Sequence, residues 1–311
     1  MKIFSCSKES MVFTSKICNI LKVDPGNVSL FKFKNDNNFV QYNESVRAED
    51  IFLVQTMNRP VNERIMELLI SIDAAKRSSA KSITVVLPYF PYSRSDKKDQ
   101  PRIPVTAKLI SNMLSSAGAT RILTCDLHNQ AIQSYFEIPC DTISCQSLLA
   151  DYFINKKIKD MVVVATDAGS SKKAYKYAIN LNASIALVNK ERIGNTDNVK
   201  ANSIIGEIRN KNAIIFDDEV DTAGSIVAAV DILTQNGIKE VYVGCTHGVL
   251  SDGAIEKIAK SNIKEMVITD TIPYSGKKPK NLKILSSCGL FAEAIRRINE
   301  NDSADSIFER R

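Results

Sequence analysis

Residues 213–225, AIIFDDEVDTAGS, restrict the fold more than any other stretch of the chain. Apolar residues with strand character run directly into two carboxylates, Asp217 and Asp218. A turn of small residues follows, and then a helical pattern from Ile226 onward. The expected unit is strand, turn and helix. Asp221, Thr222, Ala223, Gly224 and Ser225 carry little side-chain bulk, so consecutive backbone N–H groups can close around a phosphate at the positive end of the helix. The paired carboxylates fall at the carboxyl end of the strand, where an α/β sheet binds ligands. There they can accept from sugar hydroxyls or hold a hydrated metal. Asp, Thr and Ser are also good N-caps, so a buried strand followed by a capped helix is the competing reading.

The same alternation recurs along the chain. Residues 51–55, 83–87 and 121–125 read as buried strands, separated by an amphipathic helix from Pro60 and another from Pro104 to about Gly118. The pattern restarts at Met161, with strands expected at 162–165, 183–188, 213–216 and 240–245. Strand and helix in alternation are the signature of a mostly parallel sheet flanked by helices. Two such sets imply two similar α/β halves, residues 1–145 and 146–285, with a helical segment over 286–311. Residues 29–40 alternate apolar and polar and break at Asn35-Asp36-Asn37-Asn38, a turn composition. A cleft faced by strand ends from both halves is the expected place for a ligand.

Composition narrows the class. With 311 residues, 44% of them hydrophobic, the chain can bury a core of two ordinary domains. A net charge of +6, spread along the sequence, suits anionic small ligands, and no basic tail or RNA-binding aromatic motif supports a nucleic-acid partner. Seven cysteines without a CxxC pair fit a reduced, cytoplasmic setting. No apolar run approaches the roughly 18 residues that span a bilayer, and MKIFSCSKES lacks the apolar core of a signal peptide. The expectation is a soluble cytoplasmic protein with no membrane partner.

Polar groups stand just past several expected strand ends: Asp126 with His128, Asp167, Lys190 with Arg192, Asp217 with Asp218, and His247. The acidic members suit a divalent metal and sugar hydroxyls; Lys190 and Arg192 suit phosphoryl oxygens. Together they describe phosphoryl-type transfer to a phosphorylated sugar, where positioning and charge neutralisation supply most of the catalysis. With only two histidines, zinc catalysis has no ligand set of the usual kind. The charged loop over residues 93–102 would by itself be a solvated loop. No GxxxxGK[ST] is present, so a nucleotide must be held by another device.

FDDEVDTAGS is similar to the phosphoribosyl-binding loop of type I phosphoribosyltransferases. YFPYSRSDKKD, TCDLHNQAIQSYFEIPCD, TDAGS and NKER, in that order, resemble ribose-phosphate pyrophosphokinases, and the likeness runs from KIFSCS to AEAIRR. The resemblance implies two phosphoribosyltransferase-like domains assembled into hexamers or related homo-oligomers. It implies transfer of the diphosphoryl group of ATP to the C1 hydroxyl of ribose 5-phosphate, releasing AMP, with Mg2+ required. Residues 221–225 would then cradle the 5-phosphate, and Asp217 and Asp218 would bind ribose hydroxyls. Lys190 and Arg192 would neutralise charge on the transferred group. His128 and Asp167, with Asp126 nearby, would surround magnesium and ATP oxygens. Arg94, with Ser95 and Asp99 in its loop, would face ATP, while Phe33, Asn35 and Asn37 would line an adenine pocket shared with a neighbouring subunit.

The chain departs from the family pattern at Asn37, where Glu is usual, and at Ser95, where Gln is usual. Ala131 and Ser134 replace a Gln and a Gly, and Ser170 replaces a glycine. Ser45, Arg47 and Arg102 match positions that bind a regulatory phosphate in many members, whereas Asp305 replaces a serine there. An active pyrophosphokinase is the first expectation; a weakly active homologue serving as a regulatory subunit is the alternative. A salvage phosphoribosyltransferase would leave the first half of the chain without a purpose.

Overall fold

The structure, a computed structural model, describes residues 1–192, 199–251 and 253–303, with side chains described outside 189–203. Two compact units result: residues 1–145 with 270–274 and 286–311, and residues 146–269 with 275–285.

In the first unit, short Ile-, Val- and Leu-rich runs are buried on both faces, as strands of a helix-covered parallel sheet must be. β1 (Lys2–Ser5) leads through α1 (Met11–Leu21) to an antiparallel hairpin, β2 (Val28–Lys32) and β3 (Asn38–Tyr42). β4 (Asp50–Val54), α2 (Val61–Arg77), β5 (Ser82–Leu87), α3 (Thr106–Ala117), β6 (Arg121–Cys125), a 3-10 helix (Gln130–Tyr135) and β7 (Cys140–Ile143) follow. The sheet order is β1-β4-β5-β6-β7, parallel throughout. The turn expected at residues 35–38 closes the β2–β3 hairpin. There Asp36 has φ 70° and donates its N–H to Phe33 O at 2.9 Å.

The second unit runs through α4 (Gln146–Asn155), β8 (Met161–Ala165), α5 (Ser171–Leu181), β9 (Ser184–Arg192) and β10 (Val199–Ile205). β11 (Asn212–Val220), α6 (Gly224–Gln235), β12 (Glu240–Gly248), α7 (Ala254–Lys260), β13 (Ile263–Thr269) and β14 (Leu282–Leu285) complete it. Its order is β10-β9-β8-β11-β12-β13-β14, with only β10–β9 antiparallel. The C-terminal helix α8 (Cys288–Glu300) belongs to the first unit. Its apolar stripe, Phe291, Ala292 and Ile295, joins the core around Phe13 and Ile17 of α1, with the Phe13 and Phe291 rings edge-on at 5.6 Å.

Three strands of the second unit are longer than their apolar runs. β9 continues through Lys190 to Arg192 because β10 pairs back along it, Lys190 opposite Ala201 and Arg192 opposite Val199. β11 continues to Val220 and β12 to Gly248 because their mutual ladder persists after the apolar residues end. His247 therefore lies inside β12, 2% exposed and opposite Glu219, and does not stand beyond a strand end as the sequence suggested.

Gly244 of β12 is required by packing. A Cβ there would lie 2.7 Å from the Phe216 ring and 3.1 Å from Phe153. Phe216 cannot easily retreat, since it stacks on Tyr177 at 3.5 Å. Gly244→Ala is expected to destabilise the chain by about 1–3 kcal/mol through overpacking. Thermal unfolding checks this, and an unchanged midpoint would show that the rings can yield.

Candidate functional site

β8 pairs with β11 only from Asn212 to Ile215, whereas β12 stays paired with β11 through Val220. Asp217 and Asp218 thus lie on the stretch of strand where, among the described residues, the β8 edge of the ladder has ended. Both are half-buried. Asp217 Oδ1 accepts the N–H of Asp218 at 2.9 Å, and Lys173 on α5 forms an ion pair with Asp218, whose side chain is 11% exposed. Burial, followed by the charge of Asp218, raises the Asp217 carboxyl to about 6, with Lys173 pulling in the opposite direction. Sequence reasoning missed Lys173. Its position shortly after TDAGS was the available signal, but several lysines crowd that helix and nothing singles one out before the fold is known.

Beyond the carboxylates the chain turns through residues 221–223 into α6. Ala223 is its N-cap, in the left-handed region at φ 60°, and no side chain caps the helix. The capped-helix reading therefore fails, and the first N–H groups of α6 have no intrahelical acceptors. The loop is fixed from outside: Leu250 N–H donates to Val220 O and Ser251 N–H to Asp221 O, both at 3.1 Å, while Lys257 Nζ reaches Thr222 O at 3.2 Å. Thr222, Gly224 and Ser225 are exposed and Asp221 is half-buried. This geometry suits an anion at a helix N-terminus, with carboxylates one turn of chain away for hydroxyl groups.

Asp167 follows β8 and is exposed. Its Oδ1 accepts from Ser170 N–H at 2.8 Å, and the Ser170 hydroxyl donates to Asp167 O at 3.0 Å. Ser170 thus closes the turn that presents this carboxylate. The backbone of Lys190 and Arg192 lies in β9, and their side chains lie outside the described residues.

In the first unit, Asp126 and His128 follow β6. Asp126 is half-buried and accepts from Ser144 Oγ at 2.8 Å and from Cys145 N–H at 3.0 Å; His128 is exposed. Arg94 and Asp99 are exposed in the loop before α3. The Ser95 hydroxyl faces α3 instead, bonding Thr106 Oγ1 at 3.2 Å and accepting Thr106 N–H at 3.3 Å. At the hairpin tip Phe33, Asn35 and Asn37 are exposed. The Phe33 ring, 48% exposed, is held edge-on by Phe31 and Phe39, which stack on each other at 4.4 Å. Asn35 Oδ1 accepts from Asn37 N–H at 3.3 Å. Ser45 and Arg47 line an open cavity of about 550 Å³ together with Arg77 and Ser78. Arg102 is not part of that lining, and Asp305 lies outside the described residues.

Comparison with known proteins places these features in a family. Residues 1–118 match the N-terminal domain of ribose phosphate pyrophosphokinase, and residues 198–309 match the phosphoribosyl synthetase-associated domain. The ribose-phosphate pyrophosphokinase of Clostridium acetobutylicum is 47% identical, over 94% of this chain and 93% of its own length. That of Bacillus caldolyticus is 42% identical, over 99% and 98%. The crystal structure of phosphoribosylpyrophosphate synthetase from Mycobacterium smegmatis superposes with a TM-score of 0.91 at 37% identity, covering 96% of this chain and 99% of that one. The chain is an α/β enzyme built from phosphoribosyltransferase-like units, each a mostly parallel sheet flanked by helices. It belongs to the ribose-phosphate pyrophosphokinase family.

The raised Asp217 carboxyl has a consequence for stability. The folded state holds its proton more tightly than the unfolded chain between the ordinary carboxylate value and about 6, so stability declines as pH rises through that window. Asp217→Asn is expected to remove this decline and to gain on the order of 1–2 kcal/mol over wild type near pH 7. Unfolding midpoints for both proteins from pH 4.5 to 7.5 test it, and parallel curves would contradict it.

Proposed function

We propose that the chain transfers the β,γ-diphosphoryl group of ATP to the C1 hydroxyl of ribose 5-phosphate, giving 5-phosphoribosyl 1-diphosphate and AMP. The observation that carries this reading is the pair Asp217–Asp218 on the strand that leads into the N-terminus of α6, which no side chain caps, in a chain similar over 94% of its length to a ribose-phosphate pyrophosphokinase. The 5-phosphate accepts from N–H groups at residues 223–225, and the carboxylates accept from ribose hydroxyls, which fixes the sugar at both ends. The C1 oxygen attacks the β-phosphorus, a bond forms there, and the bond from the β-phosphorus to the α,β-bridging oxygen breaks. The electron pair leaves with AMP, and the hydroxyl proton passes to solvent. Lys190 and Arg192 neutralise charge that grows on the transferred group.

The first unit supplies the nucleotide groups: Arg94, Asp99 and His128 for the phosphates, and Phe33, Asn35 and Asn37 for the base. The half-exposed Phe33 face offers a surface on which a purine can stack. Asp126 with His128 in the first unit, and Asp167 in the second, are donors of the kind a divalent metal takes, and we take that metal to be magnesium. When bound it neutralises phosphate charge and orients the phosphates. We further propose a homo-oligomer in the cytoplasm. Seven cysteines, none of them in a disulfide, suit a reducing compartment, and no helix among the described residues is long and apolar enough to cross a membrane.

Incubation of the pure protein with ATP, magnesium and ribose 5-phosphate is expected to yield AMP and 5-phosphoribosyl 1-diphosphate in equal amounts; absence of AMP would overturn the assignment. Lys190→Ala is expected to lower kcat by about 10²–10³ while ribose 5-phosphate binding stays intact, since a cation aimed at developing charge contributes little to the ground state. A variant with normal turnover would remove Lys190 from the mechanism.

Asn37 bears on the choice of base. An amide accepts through oxygen and donates through nitrogen, whereas a carboxylate only accepts. Asn37→Glu should therefore raise the preference for ATP over GTP by roughly 1–3 kcal/mol. Equal ratios of kcat/KM for the two nucleotides in wild type and variant would remove Asn37 from base recognition.

A further inference from the structure

Cys125 ends β6, and Cys145 lies just beyond the end of the neighbouring strand β7. Their Sγ atoms are 3.3 Å apart and both side chains are fully buried. Asp126, the next residue, turns its half-buried carboxylate toward the same place. Among the described residues, Cys125, Asp126 and Cys145 are the one group of three or more potential ligands whose donor atoms all lie within 4.8 Å of one another. We propose that these three side chains form a binding site for a soft divalent cation of the zinc and cadmium class, with Asp126 a donor it would have in common with the magnesium ligands proposed above.

Two sulfurs and one carboxylate oxygen make three corners of a tetrahedron, with the fourth left for water. Thiolates on one zinc at about 2.3 Å stand roughly 3.8 Å apart, so the present 3.3 Å needs to open by only about half an ångström. The orienting bonds that a metal carboxylate needs are already made. Ser144 Oγ donates to Asp126 Oδ1 and Cys145 N–H to Oδ2, and these bonds orient the carboxylate. Asp126 is also the partly exposed member and marks the side from which an ion enters. Loading converts two thiols and a divalent cation into a dithiolate complex and two protons released to solvent, with no change of oxidation state. Magnesium demands near-octahedral oxygen ligation and keeps its water, so it does not compete for two sulfurs.

The test is independent of catalysis. The reduced full-length protein, in a non-thiol reductant with millimolar magnesium, is titrated with cadmium. The ultraviolet sulfur-to-cadmium charge-transfer band is followed, and bound metal is counted after gel filtration. One equivalent with a band of two-thiolate intensity is expected, with Cys125→Ser and Cys145→Ser each lowering affinity at least tenfold and Cys140→Ser leaving it unchanged. Asp126→Asn should weaken binding while keeping the band. Absence of the band in wild type, or its persistence in both the Cys125 and Cys145 variants, would overturn the proposal. If either serine variant fails to fold, Cys125→Ala and Cys145→Ala take its place: persistence of the band in both alanine variants refutes the site.

Discussion

Where β8 stops pairing with β11, the rest of the second unit's site becomes possible. From Ala213 to Ile215 the strand is buried between two neighbours and carries only apolar residues. Past that point one edge opens while the β12 ladder continues, so the backbone stays paired as it turns polar. Two adjacent carboxylates on such a strand are costly: burial and mutual repulsion push Asp217 up to about 6. Lys173 offsets part of that cost by pairing with Asp218. The helix α5 is thus coupled to the strand by charge as well as by the packing of Tyr177 on Phe216.

The same strand also delivers the chain to α6. Ala223 adopts a left-handed conformation and no side chain caps the helix, so the first N–H groups of α6 lack intrahelical acceptors. The bonds from Leu250 and Ser251 to Val220 and Asp221 hold the loop through carbonyls, which keeps its N–H groups available for an anion. Ligand binding and helix initiation draw on the same unsatisfied donors, so an occupied cradle should strengthen the first turn of α6.

The alternation of strand and helix, and the strands themselves, were legible because both sheets are buried on two faces and their strands read as continuous apolar runs. The exact ends were not. Strand β11 carries DDEV and β9 carries NKER, sequences that taken alone mark a strand's end; the ladders with β12 and β10 extend them regardless. His247 was misplaced for the same reason, since its burial is decided by a neighbouring strand distant in sequence. The DTAGS turn was legible from bulk alone. Lys173 was not, because an ion pair across a sheet face leaves no periodic trace. The likeness to a family is what assigns nucleotide contacts to the loop over residues 93–102, which local pattern alone reads as a solvated loop.

The departures from the family pattern divide by what their side chains touch. Ser170 and Ser95 both turn a hydroxyl inward to bond neighbouring backbone, the first closing the turn at Asp167 and the second receiving the first N–H of α3. Each keeps a loop in place by a bond that the glycine or glutamine expected there would not make in the same way. Such changes preserve geometry and alter little that a ligand meets. Asn37 differs, because its side chain is exposed at a hairpin tip whose shape is fixed by backbone bonds between Phe33 and residues 36 and 37. With the backbone held, exchanging a carboxylate for an amide changes only the donors and acceptors presented outward. Under the function proposed above, Asn37 bears on the choice of base, while Ser95 and Ser170 bear on the loops they hold.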